Sequence, residues 1–169
     1  QADFFLDNFI FVNTSDEHDF EKITDHLIDV HGFTDIDMLS GFDFIEVSHQ
    51  RVDGYRKSLE KHNIKYNEDK VCYGDFWIES GRLQAQKYIN GERPFPQALI
   101  CANDYMAYAF LDELLKNNIP VPEKISVTGY EYVRERIYHY PILTTFQRNR
   151  KGLGALAVRM LYKKLTSGK

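Results

Sequence analysis

The sequence predicts an α/β fold, a three-layer α/β/α sandwich built around a doubly wound, mainly parallel sheet. Three observations predict it. Short runs of consecutive apolar residues recur, as in Ala98-Leu99-Ile100-Cys101-Ala102, and such runs mark strands covered on both faces. Longer segments with apolar residues at helical spacing lie between them. Strand and helix alternate, which requires right-handed crossovers between parallel strands.

Strands are read over residues 9–13, 36–40, 70–74, 98–102, 125–129 and 143–147, and helices over 19–31, 49–62, 78–90, 104–118 and 151–166. In the first helix Phe20, Ile23, Leu27 and Ile28 share one face, with Glu21, Lys22 and Asp25 opposite. In the fourth, Met106, Ala109, Phe110 and Leu114 form the apolar stripe, and Asn103 or Asp104 is placed to cap its start. Leu153, Leu156, Met160, Leu161 and Leu165 form the stripe of the last helix, which Gly168 can end. Ligands of doubly wound sheets bind outside the carboxyl ends of the strands. The loops of interest are therefore 13–18, 40–50, 74–78, 102–105 and 129–141.

The length, 169 residues, corresponds by itself to one domain. With 43% hydrophobic residues, 12 Phe and 11 Tyr, the chain carries too much apolar surface to stay disordered. No apolar run approaches the roughly 18 residues of a membrane span, and no basic-then-apolar leader opens the chain. A net charge of −4 without a concentrated basic face excludes direct nucleic-acid contact as the business of this chain. Cys72 and Cys101 both stand in strand-like runs. They read as free buried thiols, which fits a reducing cytoplasm.

Several kinds of chemistry are absent from the sequence. Gly152-Leu153-Gly154-Ala155-Leu156-Ala157 superficially resembles a dinucleotide fingerprint. The acid-bearing strand that motif needs has no room after it, so it reads as close helix packing. There is no Walker loop, no Gly-x-Ser-x-Gly elbow and no His-Glu-x-x-His. His26 and His31 stand at i and i+5, poor spacing for one helical face, and neither a metal nor another cofactor is expected. Asp16, Asp43, Asp75, Asp104 and Glu131 all lie near expected strand ends. Such acids suit either a metal-assisted phosphatase or receiver-type site or fixed hydrogen bonding to a polyol. Phe42, Phe44, Phe76, Trp77 and Tyr130 are near enough in the topology to supply stacking faces.

Ordered motifs resemble the effector-binding core of LacI/GalR-type transcription regulators, a type I periplasmic-binding-protein-like fold. Arg51-Val52-Asp53-Gly54-Tyr55 is similar to that family's Arg-x-x-Gly-Tyr helix start. Gly74-Asp75-Phe76 with Ser80-Gly81, Ala102-Asn103-Asp104 with Met106-Ala107, and Val121-Pro122 through Ile125 to Gly129-Tyr130-Glu131 match further motifs, as does Leu143-Thr144-Thr145 with Gln147. Residues 23–45 fit the preceding helix and strand.

The resemblance implies a non-enzymatic ligand-sensing lobe whose ligand contacts are Arg51, Asn103, Glu131, Phe76 and Gln147. It implies a sugar-like or related polar effector, lobe closure as the signal, a homodimer in the full-length protein and a DNA-binding headpiece as the output. A signalling output such as a nucleotide cyclase, or a periplasmic sugar-binding protein, is the alternative. The sequence departs from the family where Glu131 replaces an aspartate, at His31-Gly32-Phe33, at Ser15-Asp16 and at Asn118. The family's core has two lobes. The chain is therefore expected to be the C-terminal lobe, with residues from about 145 to 169 forming a crossover and helix that belong with the other lobe.

Overall fold

In a computed structural model of the chain, residues 14–133 and 143–166 are described. The expected strand over 9–13, residues 134–141 of the loop over 129–141 and the Gly168 helix stop lie outside the described residues.

The element order is α1 (Asp16–His31), β1 (Ile36–Ser40), α2 (Glu46–Lys61), a short 3-10 turn (Glu68–Lys70), β2 (Val71–Tyr73), α3 (Ile78–Ile89), β3 (Ala98–Cys101), α4 (Asp104–Lys116), β4 (Ser126–Tyr130), β5 (Thr144–Phe146) and α5 (Arg150–Thr166). The strands form one sheet in the order β2-β1-β3-β4-β5, and each pairing is parallel. β1 and β3 are buried along their whole length, as expected of apolar runs sandwiched between layers.

The chain divides into two compact units, Asp16–Gln147 and a second made of Gln1–Ser15 with Arg148–Lys169. The first holds the sheet and α1 to α4. In the second, α5 is opened by Asn149, whose Oδ1 accepts from the Gly152 amide at 2.9 Å. No residue of α5 is buried, and Val158, Tyr162 and Leu165 are largely exposed.

In the first unit α1 packs on α2 and α3 on α4, and right-handed crossovers put these pairs on opposite faces of the sheet. Two glycines permit the close approach. A Cβ on Gly54 of α2 would collide with the Glu17 carbonyl of α1, and one on Gly81 of α3 with the Met106 carbonyl of α4. α1 starts at Asp16, three residues before its apolar stripe requires, with Asp16, Glu17 and Asp19 in its first turn, where carboxylates favour the helix dipole. α4 is capped by Asn103, whose side chain accepts from the Met106 amide at 3.0 Å.

The strand order reverses between β1 and β3, because the chain first steps outward to β2 and then returns past β1. Doubly wound sheets bind ligands at such a switch point. Gly54→Ala is expected to lower stability by about 1–3 kcal/mol through overpacking against α1, read as a shifted urea midpoint with an unchanged slope.

Candidate functional site

At the carboxyl ends of β1, β3 and β4 the first unit builds a cup around Arg51. Its guanidinium is 5% exposed. Nε and Nη2 each donate to Asp16 Oδ2 at 2.8 Å, and Nη1 donates to the Ala102 carbonyl at 2.8 Å. Three rings surround it, with centroids 4.8 Å (Tyr130), 5.3 Å (Phe76) and 5.4 Å (Phe20) from the guanidinium carbon, within cation–π range. Arg51 thus joins α1, α2, the turn after β2, and the ends of β3 and β4.

The turn after β2 is held from both sides. Asp75 accepts from the Trp77 amide at 2.8 Å and from Ser80 Oγ, and the Ser80 bond, followed by the Trp77 amide, keeps its carboxyl below the ordinary aspartate range. Asn103 uses both ends of its amide: Oδ1 caps α4, and Nδ2 donates to the Phe76 carbonyl at 2.7 Å. Phe76 sits at φ 67, a left-handed conformation that costs a non-glycine residue on the order of 1–3 kcal/mol. These bonds hold it there, with its ring half-buried over Arg51 and 6.3 Å from the ring of Phe42.

The turn after β4 has the same character. Glu131 and Tyr132 take φ values of 96 and 59. The other described non-glycine residues with positive φ are Asn63 and Asn118, just beyond the ends of α2 and α4, where asparagine is tolerated. Strain is therefore concentrated in the two turns that edge the cup. Asp104, fully buried in the first turn of α4, fastens the second turn. Its carboxylate accepts from the Val133 amide and from Thr145 Oγ1, both at 2.6 Å. Burial raises the Asp104 carboxyl above the ordinary aspartate range, against these hydrogen bonds, which lower it.

Of the residues expected from sequence, Arg51, Asn103 and Phe76 meet directly. Glu131 is half-buried and follows Tyr130, whose ring lies on Arg51 and stacks on Phe146 at 5.8 Å. Gln147 is exposed, one residue past the end of β5. The guanidinium of Arg51, for which the resemblance implies ligand contact, donates within the chain to Asp16 and to the Ala102 carbonyl. The acids at the strand ends are not pooled either: Asp16 meets Arg51, Asp75 meets Trp77 and Ser80, and Asp104 meets Val133 and Thr145. Among the described residues no group of three or more His, Cys, Asp or Glu is placed to hold a metal.

Sequence reasoning did not find the Asp16–Arg51 pair, the Tyr130 and Phe20 faces, or the Asp104 clamp. The available signal was weak: an acid opening an amphipathic helix and a buried-type acid beside the capping asparagine.

A model of the periplasmic-binding-protein-like domain matches residues 24–169. Among curated proteins, the chain is 34% identical over 142 residues to an HTH-type transcriptional repressor PurR of Vibrio campbellii, covering 84% of this chain and 42% of that one. It is 32% identical over 152 residues to the same repressor of Pasteurella multocida, covering 88% and 45%. The chain thus spans less than half the length of these relatives, which are transcriptional repressors and not enzymes. Among solved structures, the Escherichia coli transcriptional repressor ascG superposes with a TM-score of 0.84 at 24% identity, covering 94% of this chain and 57% of that one. A complex of the transcriptional regulator CelR with cellobiose does so with a TM-score of 0.79 at 26% identity, covering 92% and 47%.

Two outcomes follow from the cup. Arg51→Ala removes the buried counter-charge of Asp16 and is expected to cost about 3–5 kcal/mol in equilibrium unfolding. Arg51→Lys restores little of it, because an ammonium cannot fork between Asp16 and Ala102. Because the folded pKa of Asp104 is raised, its protonation favours the folded state. Relative to Asp104→Asn, the parent protein should gain stability as pH falls from neutral through that raised value toward 3.8 and lose it as pH rises again, read in parallel denaturation series.

Proposed function

Because the chain belongs to the periplasmic-binding-protein-like family, as the effector-binding part of a LacI/GalR-type regulator, we propose that it binds a small polar, sugar-like effector at the carboxyl-end cup. The observation that carries this reading is the strained pair of turns that flank the switch point. They present a half-buried aromatic ring, Phe76, and a carboxylate residue, Glu131, on a base made rigid by Arg51. Strain of this kind persists where the surrounding structure over-determines it and serves a site. In this reading Phe76 stacks on the effector ring, while Glu131 accepts from its hydroxyls. Asn103 sets the height of Phe76 by holding its carbonyl and contacts the effector with the edge of its amide. Gln147 contributes from the crossover. The role of Arg51 is to orient the rings and the Ala102 carbonyl and to lend positive potential beneath the effector.

The relatives are HTH-type transcriptional repressors, and in this reading effector binding shifts the closure of two lobes, a shift read by an attached DNA-binding headpiece of a homodimer. The working compartment is the cytoplasm, a setting supported by the two buried free thiols, Cys72 and Cys101. Burial pushes both thiols up from their ordinary range, which keeps them inert. Among the described residues no helix is long and apolar enough to cross a membrane.

The test is titration calorimetry of the full-length protein with mono- and disaccharides, nucleobases and amino acids. A sugar should bind, and Glu131→Gln and Phe76→Ala should each weaken it about tenfold or more, as expected on loss of a buried polar partner or a stacking face. Binding only of nucleobases would overturn the sugar-like class, and full affinity in both variants would overturn the site. Sedimentation of the same protein reads the dimer.

A further inference from the structure

The loop from β1 to α2, residues 41–45, edges the cup on the β1 side and reads Gly-Phe-Asp-Phe-Ile. Its first residue, Gly41, is buried, and a Cβ there would overlap the ring of Phe76. The bare backbone at the end of β1 therefore seats the ring that lies over Arg51. Two more rings follow outward from it. Phe42 is half-buried, 6.3 Å from Phe76, with its plane turned by 68°. Phe44 lies 5.1 Å beyond Phe42, at 37° to it. Phe44 is 77% exposed, more than any other large apolar side chain among the described residues. Asp43, between the two in sequence, is exposed as well.

Two features of this row point to what covers it. The first is its composition. A pyranose has an apolar face of C–H groups and a polar rim of hydroxyls, so it is held by an aromatic ring beside a carboxylate. The cup offers that pair in Phe76 and Glu131, and the loop repeats it in Phe42, Asp43 and Phe44. A purely apolar partner would leave Asp43 beside it without a donor. The second feature is the angle. A flat fused ring system cannot lie on Phe76 and on a plane turned by 68° at once. Two rings joined by a glycosidic oxygen rotate about that linkage and follow the turn. The 6.3 Å step from Phe76 to Phe42 is of the size that separates neighbouring rings in a disaccharide. Covering Phe44 also takes apolar surface out of water, which favours the longer ligand.

We infer that the effector is a disaccharide: one ring stacks on Phe76 in the cup, and the second lies against Phe42 and Phe44 with hydroxyls toward Asp43. The inference rests on the reading of the cup as the effector site and adds to it the size of the ligand and the residues that select it.

The test is titration calorimetry of the full-length protein with cellobiose, maltose, lactose and melibiose, each against its constituent monosaccharides, glucose and galactose. One disaccharide should bind about tenfold or more tightly than its monosaccharides, as expected for a second stacked ring. Phe44→Ala, at an exposed position where folding is insensitive to truncation, should bring that disaccharide to within about threefold of its monosaccharides. The same change should leave monosaccharide affinity as it was, and Phe44→Tyr should keep the preference. Phe76→Ala should weaken both classes. The inference is overturned if no disaccharide outbinds its monosaccharides, if the preference survives Phe44→Ala, or if Phe44→Ala weakens the monosaccharides equally. In each of these cases weaker binding by Phe76→Ala still leaves the cup as the effector site. Full affinity in both Phe76→Ala and Glu131→Gln, or binding of nucleobases alone, overturns the sugar site in the cup and the second-ring contact together.

Discussion

A buried ion pair between Arg51 and Asp16 organises the carboxyl end of the sheet. Moving two charges out of water costs several kcal/mol per ion, and only near-complete geometry offsets this. Here both donors on one side of the guanidinium meet the same carboxylate oxygen, a third meets the Ala102 carbonyl, and the faces are covered by Tyr130, Phe76 and Phe20. The pair fixes where α1 begins, how α2 lies across the sheet, and where the rings at the ends of β2 and β4 come to rest. A guanidinium so thoroughly engaged acts on a ligand through orientation and field more than through a free fork.

Around that base, each of the two turns at the cup is held in a left-handed conformation by a side chain from the start of α4. Asn103 holds the Phe76 carbonyl, and the neighbouring Asp104 holds the Val133 amide and Thr145. A Cβ on Gly129 would collide with the Asp104 carboxylate, so β4 must be bare at that point for the clamp to close. One helix start therefore positions both flanks of the cup. An Asn-Asp pair in this position has a mechanical role apart from any contact with a ligand.

Much of the fold was legible in the sequence because strand burial and helix amphipathicity are local signals. β1 falls on the expected residues, and β2 to β5 fall within a residue or two of their expected bounds. α1 and α2 each begin three residues early: carboxylates or polar residues without a place in an apolar stripe still add helical turns. Asn103, one of the two candidates for the α4 cap, proved to be the cap. The site was legible as a set of residues at strand ends, but their division of labour was not. Arg51 read as a ligand contact, and its ion-pair partner Asp16, 35 residues away in sequence, was not legible.

By itself the sequence determined the alternation of strands and helices, the edge of the sheet where the candidate contacts collect, and the family resemblance that its motifs carry. These rest on residue type and spacing within a window of some twenty residues. Tertiary structure alone decided that Arg51 faces Asp16, that Asp104 is a clamp and not one of a catalytic pair, and that the rings of His26 and His31 meet edge to face. Each of these depends on which distant groups are left together once water is excluded, and pattern along the chain carries no record of that competition.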